Sequence, residues 1–237
     1  MQLYHLIVAL NNKGATLLQS NLQASLLFFQ AALEATIAGR NDSSKGGDTV
    51  VPNPEGDISA FITIDENAHF GNAPFELLNA FVRPIVMNSS LTAYSRDPKV
   101  NLDVAACIII YNQAVVFHRL GLDEDEEPDP VRLDQAKKLY IKALNSFHDM
   151  EISTTRSSGH GVIDLVTMAI HNNLGQIAFY SCEHDEAMVH FAKLLLYAAS
   201  VDANTYDAET AYILEWHKLF FRCNFLTIQF PKTASAA

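Results

Sequence analysis

The chain is poor in glycine and proline, the residues that shape turns. Ten glycines and eight prolines make up about 8% of its 237 residues, against roughly 12% in an average protein. Turn-rich β-sandwiches and barrels need many such residues, so the deficit argues against them and favours helices. Hydrophobic residues are 49% of the chain, which excludes a globally disordered protein and is enough for a sizeable core.

Cysteine and charge are also scarce. The three cysteines, Cys107, Cys182 and Cys223, are widely spaced and form no CxxC or Cys/His ligand pattern. We therefore expect no disulfide framework and an intracellular, reducing compartment such as the cytoplasm or nucleus. Charged residues are only 18% of the chain and the net charge is −11, which disfavours nucleic-acid binding. The apolar run Leu3–Leu10 is too short to span a bilayer, so we expect no membrane insertion.

Three pairs of helices follow from the spacing of apolar residues, which recur every three or four positions. A further long apolar face near the C-terminus predicts a last helix. The predicted helices cover residues 2–20, 22–38, 101–121, 132–147, 162–181, 184–200 and 206–229. We expect them to form one domain over residues 1–230, followed by a tail at 231–237.

The three hairpins share a pattern of small and aromatic residues. Each has a small residue inside its first helix, and a small residue and an aromatic one four positions apart in its second. The three sets are Gly14, Ser25 and Phe29; Ala114, Ala136 and Tyr140; and Gly175, Ala187 and Phe191. Small residues let crossing helices approach closely, and we expect each aromatic ring to fill the gap toward the next hairpin.

This pattern resembles the tetratricopeptide repeat, a repeat built from helical hairpins. The third hairpin matches best, because it keeps Leu174-Gly175 and the pair Ala187 and Phe191 with the family's spacing. No hairpin carries the family's Trp or its final Pro, and the small first-helix residues lie 100 and 61 positions apart rather than about 34. The resemblance implies an all-α fold, a short right-handed superhelix of hairpins closed by a C-terminal capping helix.

The first of two insertions spans residues 39–100. It opens with a polar segment rich in Gly, Pro, Asn and Asp at residues 39–57, which predicts a loop. Residues 58–64 and 81–87 are short β-prone runs that can pair as a small β-hairpin. Because proline cannot donate a ladder hydrogen bond, Pro84 would have to lie on a free edge of that pair.

Sequence motifs for metal binding and catalysis are absent. The acidic run at residues 123–127, within the second insertion at 122–131, lacks the spacing of a calcium-binding loop and is expected to be a solvated loop. His184 and His190 are six positions apart and would not share a helix face. The chain has no GxSxG, P-loop or GxGxxG motif. We therefore expect no enzymatic activity, no cofactor and no metal site.

Asparagine recurs at one position of the repeated pattern. Asn12, Asn112 and Asn173 each lie two residues before the small residue of a first helix. The resemblance implies that this face lines a concave groove, where an amide can grip a peptide backbone because it both donates and accepts hydrogen bonds. The alternative is that these amides satisfy loop or neighbouring-helix backbone. Three side chains that lie nearby are expected to tune specificity: Lys13, Arg119 and Gln176.

The positions one helical turn before the asparagines are apolar. They are Val8, Ile108 and Ala169. Some tetratricopeptide proteins carry Lys or Arg there and clamp a C-terminal carboxylate. Their absence argues against such a clamp and favours an uncharged segment, extended or helical, as the ligand.

These observations predict a non-catalytic scaffold or adaptor that binds a peptide or partner protein in a concave helical groove. One alternative is a structural subunit of a larger assembly, held through its insertions and outer faces rather than through a groove. Another is an enzyme or a small-molecule-binding helical domain, which would need a pocket that the sequence does not reveal.

Overall fold

The computed structural model describes residues 2–43, 84–87, 98–122, 127–153 and 161–200. All regular secondary structure in these residues is α-helical, which confirms the all-α prediction for this part of the chain. The helices are α1 (Gln2–Leu17), α2 (Leu22–Ser43), α3 (Pro98–Gly121), α4 (Pro130–Ser153), α5 (Gly161–Tyr180) and α6 (His184–Ser200). They fall into two compact units, the first with α1–α4 and residues 84–87, the second with residues 163–200.

Short polar caps start the second helix of each hairpin in the first unit. The Asn21 side chain accepts a hydrogen bond from the backbone N–H of Ala24 at 2.9 Å, which caps α2. Asp129 does the same for α4, accepting from Val131 at 2.9 Å and from Arg132 at 3.2 Å. Pro130 occupies the first position of α4, where its missing N–H costs nothing.

Helices α2 and α4 are longer than their sequence patterns predict. The prediction that a loop begins at residue 39 is wrong, because α2 continues to Ser43, and α4 extends past residue 147 to Ser153. In α2, contacts with α1 and α3 explain why the helix continues. Gly39 is buried, and a Cβ there would lie 2.7 Å from Leu3. In the next position the Arg40 guanidinium contacts the carboxylate of Asp103 at 2.8 Å.

The glycines inside the first helices, Gly14 and Gly175, each lie against the aromatic residue of their own hairpin. A Cβ on Gly14 would be 2.7 Å from Phe29, and one on Gly175 would be 2.6 Å from Phe191. The Ser25 hydroxyl donates a 2.7 Å hydrogen bond to the Gly14 carbonyl. The predicted close crossing is therefore present, and the rings of Phe29 and Phe191 fill it within their own hairpins.

Helix α3 forms the core of the first unit. In the part of the chain that the structure describes, two helical segments are long and apolar enough to cross a membrane by length and composition, Leu22–Asn41 with mean hydropathy 1.2 and Lys99–Gly121 with 1.6. The second is 78% buried inside the protein and the first 28%. A core helix meets the same test, and α3 is packed against both α2 and α4.

We expect His118 on α3 to make the stability of the first unit depend on pH. Its side chain is fully buried, Nδ1 lies 3.4 Å from the Tyr140 hydroxyl, and burial lowers its pKa to about 3. Below pH 6.5 His118 takes up a proton in the unfolded chain, whereas in the folded chain its pKa of about 3 keeps it neutral down to much lower pH. The free energy of unfolding should therefore fall by about 2 kcal/mol between pH 7 and pH 5 from this residue alone.

Urea unfolding at the two pH values measures the effect. His118→Gln keeps a partner for Tyr140 and does not titrate, so the drop for this variant should be smaller by that amount. His148→Gln, at an exposed position on α4, is the control. An equal drop for His118→Gln and the wild type would contradict the assignment.

The second unit is a hairpin of α5 and α6. Helix α5 ends at Tyr180 and is followed by Cys182 in the left-handed conformation at φ 59°. The Glu183 N–H donates to the Ala178 carbonyl at 2.8 Å. This arrangement stops a helix and satisfies its last carbonyls. The Tyr197 hydroxyl donates to Asp164 across the two helices at 3.2 Å.

Several predicted features lie outside the described residues. They are the strand at residues 58–64, the acidic run at residues 123–126, the capping helix at residues 206–229 and the tail at residues 231–237.

Candidate functional site

Three asparagines converge from the first helices of two neighbouring hairpins. Asn11 and Asn12 lie in the middle of α1 and Asn112 lies in the middle of α3. Asn11 and Asn112 are fully buried, and Asn12 is half-buried. A buried amide must find partners for its donors and acceptor. The partners here include the backbone of residues far away in the sequence, so we call Asn11, Asn12 and Asn112 the asparagine clamp.

Asn112 binds both backbone polar groups of Ile85. The Ile85 N–H donates to Asn112 Oδ1 at 2.7 Å, and Asn112 Nδ2 donates to the Ile85 carbonyl at 2.8 Å. A side-chain amide carries the same donor and acceptor as a peptide group, so one asparagine can pair with one residue as a neighbouring strand would.

Asn12 binds Met87 in the same two-point way. The Met87 N–H donates to Asn12 Oδ1 at 2.8 Å, and Asn12 Nδ2 donates to the Met87 carbonyl. In an extended chain the N–H and C=O of alternate residues point to the same side. The two asparagines therefore hold residues i and i+2 of one peptide segment.

Asn11 connects the two pairs. Its Nδ2 donates to the Ile85 carbonyl at 3.0 Å and to Asn12 Oδ1 at 3.2 Å. Its Oδ1 accepts a 2.8 Å hydrogen bond from Asn112 Nδ2. Each amide of the clamp thus fixes the orientation of another, which holds the donors and acceptors in place for a backbone.

The segment held by the clamp is Pro84–Met87. Ile85 is 8% exposed and Met87 is 1% exposed, whereas Pro84 and Val86 are half-buried. This alternation is typical of an extended segment with one face buried. Pro84 fits because the clamp uses no N–H at its position.

The predicted β-hairpin includes these four residues, and the structure gives them a different role. Residues 84–87 are not in a strand. The N–H groups of Ile85 and Met87 bond the clamp instead of a partner strand. The other residues of that predicted hairpin lie outside the described part of the chain.

The helices carry apolar side chains one turn before the clamp. Val8 on α1 is 4% exposed and Ile108 on α3 is fully buried. Neither position carries a cation that could bind a terminal carboxylate. Its occupant, Pro-Ile-Val-Met, carries no side-chain charge.

The third predicted asparagine, Asn173, belongs to the second unit. It lies on α5, is fully buried, and its Oδ1 accepts from Asn172 Nδ2 at 3.2 Å. This internal bond repeats the one between Asn11 and Asn12 at the same distance. Both asparagines of the second unit make further interactions.

The remaining three predicted residues are in different environments. Lys13, beside Asn12, and Arg119, two turns beyond Asn112, are exposed. Gln176 on α5 is 2% exposed and has an interaction partner. Exposed cations suit contacts with a bound partner, whereas a buried Gln176 suits packing of α5.

Among the described residues, histidine and cysteine form no second site of this kind. His171 Nδ1 lies 3.2 Å from His190 Nδ1, and burial together with His190 and Lys193 lowers the pKa of His171 to about 4. Burial and Asp103 raise the pKa of the Cys107 thiol to about 12, so this thiol is a poor nucleophile. Among the described residues, no group of three His, Cys, Asp or Glu side chains can hold a metal ion.

Sequence reasoning identified Asn12 and Asn112 but missed two parts of the site. Asn11 was missed, although an Asn-Asn doublet recurs at residues 11–12 and 172–173. The bound segment was missed because Met87 is 75 positions from Asn12, and no local pattern encodes such a contact.

Comparison with known proteins gives no relative from which a function can be transferred. No protein-family model, no curated protein and no solved structure matches the chain.

Proposed function

We propose that this chain is a tetratricopeptide-like scaffold that binds an extended, uncharged peptide segment of another protein without catalysing a reaction. Its helical hairpins would form a short right-handed superhelix whose first helices line the binding groove. The observation that supports this proposal is the two-point pairing of Asn12 and Asn112 with alternate residues of an extended backbone.

The chemistry of the clamp suits a peptide rather than a small molecule. Backbone pairing supplies affinity that does not depend on sequence, and the buried side chains of alternate residues supply specificity. Ile85 and Met87 show which side chains fit, since both are large, apolar and buried. The doublet Asn172 and Asn173, with its matching internal bond, would serve as a further backbone contact in the second unit.

Competition with a synthetic peptide tests this function. The chain is immobilised and exposed to a native cell lysate, and captured proteins are then eluted with the octapeptide of residues 82–89. The matched control octapeptide has proline at the positions of Ile85 and Met87, which removes the two N–H groups that the clamp accepts. Mass spectrometry identifies what each peptide releases.

The proposal predicts at least one captured protein that the native octapeptide releases and the proline octapeptide does not. Release of the same proteins by both, or of none by either, would contradict groove binding.

The same hydrogen bonds also fit the alternative that these asparagines satisfy the backbone of a loop in their own chain, which is compatible with a structural subunit. The clamp already holds residues of its own chain, as it would if the asparagines served only to anchor the first insertion. Captured proteins that neither octapeptide releases would then be held through the insertions or outer faces.

A further inference from the structure

The occupant of the clamp is a short piece of the chain that carries it. Residues 84–87 are bonded to the clamp at Ile85 and Met87. In the sequence, 40 residues separate this segment from Ser43, the end of α2, and ten separate it from Pro98, the start of α3. Ten residues span about 30 Å when fully extended, so chain length alone does not prevent the segment from leaving the clamp while α1–α4 stay packed.

We propose that residues 84–87 are a tethered internal ligand, which a partner peptide of the same chemistry displaces from the asparagine clamp. This inference rests on the proposed peptide-binding function and adds its regulation and its ligand class. A segment of the same chain competes at a higher effective concentration than a free peptide does, so it lowers the apparent affinity for any external peptide.

The contacts define the peptide that competes. The clamp takes an N–H and a C=O from the second and fourth residues, so neither of these is proline. Ile85 and Met87 are buried, so the same two positions are large and apolar. The first and third positions, Pro84 and Val86, are half-buried and give the clamp no hydrogen bond through the contacts above, so they tolerate other side chains.

This recognition differs from pairing at a sheet edge in one respect. An edge strand offers a continuous ladder of backbone groups, whereas the clamp offers side-chain amides to two residues only, those of Asn112 and Asn11 to Ile85 and that of Asn12 to Met87. A four-residue segment therefore fills it, and a partner needs only a short extended stretch. The internal segment and the partner segment cannot both occupy it, since Asn12 and Asn112 each pair with one residue.

The test measures the affinity of a fluorescein-labelled octapeptide of residues 82–89 for the full chain. The key variant is Ile85→Pro combined with Met87→Pro, which disables the internal segment and leaves the clamp intact. Val86→Pro is the matched control, since it adds a proline to the same segment without removing either N–H that the clamp accepts. Circular dichroism establishes that each chain is folded.

The double-proline chain should bind the octapeptide at least tenfold more tightly than the wild type, with Val86→Pro close to the wild type. In the double-proline background, Asn12→Asp should weaken binding at least tenfold, because a carboxylate cannot donate to the peptide carbonyl. Asn21→Asp is its control, because aspartate caps a helix as well as asparagine does.

Other results would overturn the inference in distinguishable ways. Equal, measurable affinity of the wild type and the double-proline chain would show that the internal segment does not compete, and peptide binding itself would stand. No binding to either folded chain would remove the proposed function as well. If the double-proline chain fails to fold, Met87→Pro alone is measured, and failure of both to fold would make the segment part of the core and the inference wrong.

Discussion

Asn112→Ala should lower the free energy of unfolding of the chain by about 2–5 kcal/mol. The side chain makes three buried hydrogen bonds, with the Ile85 N–H, the Ile85 carbonyl and Asn11 Oδ1. Alanine removes the only partners that the clamp gives to the Ile85 N–H and to Asn11 Oδ1. Each buried polar group left without a partner costs about 1–3 kcal/mol.

Urea unfolding followed by circular dichroism measures this loss. Gln30→Ala, at an exposed position on α2, is the control and should change stability by less than about 0.5 kcal/mol. A loss for Asn112→Ala as small as that of the control would mean that the clamp does not hold residues 84–87 in solution.

Gly14→Val should destabilise the chain by about 1–3 kcal/mol, although valine is a better helix former than glycine. A Cβ at this position would lie 2.7 Å from Cε1 and 2.9 Å from Cδ1 of Phe29. Phe29 is fully buried, so its ring cannot move away without repacking the hairpin. The added methyl groups of valine would deepen the same clash.

A double-mutant cycle tests the cause. Phe29→Leu makes room beside residue 14, so Gly14→Val should cost less in that background, with a coupling energy of about 1–2 kcal/mol. Gly39→Ala is the control. There the nearest atom is the end of the Leu3 side chain, which is 36% exposed and can move. Gly39→Ala should leave the stability unchanged or raise it. If the effects of Gly14→Val and Phe29→Leu on the free energy of unfolding simply add, the packing account is contradicted.

The positions of the helices could be predicted from the sequence, but not all of their ends. Apolar spacing places α6 at His184–Ser200, the same residues that the structure gives. It fails at the end of α2, where the sequence is polar and contains Gly39. The contact between Arg40 and Asp103 joins two residues that are 63 positions apart in the sequence. Such a long-range ion pair cannot be recognised from the local spacing of apolar residues.

The candidate site, too, could be predicted only in part. Recurrence of asparagine at a fixed place in the pattern was enough to select Asn12 and Asn112. Their bonding partner could not be selected, because Pro-Ile-Val-Met is equally compatible with an edge strand. Whether this segment pairs with a strand or with the clamp depends on which donors and acceptors lie opposite its backbone. Only the fold brings Asn112 Oδ1 to within 2.7 Å of the Ile85 nitrogen.

A clamp that its own chain fills links stability to binding. The bonds that stabilise the first unit through Asn112 are the same bonds that an external peptide would make. Under the proposed function, a partner would gain only the difference between its own contacts and those of residues 84–87, and its affinity would depend on side chains that fit better than Ile85 and Met87.

The most direct test of the central claim is amide hydrogen exchange of Ile85, Val86 and Met87 in the wild-type chain, resolved by NMR. The account predicts that the Ile85 and Met87 amides exchange at least tenfold more slowly than the Val86 amide, after correction for intrinsic rates. It also predicts that excess octapeptide of residues 82–89 removes this protection. Exchange of all three amides at the rate of a free peptide would contradict it, because the asparagines would then hold no backbone.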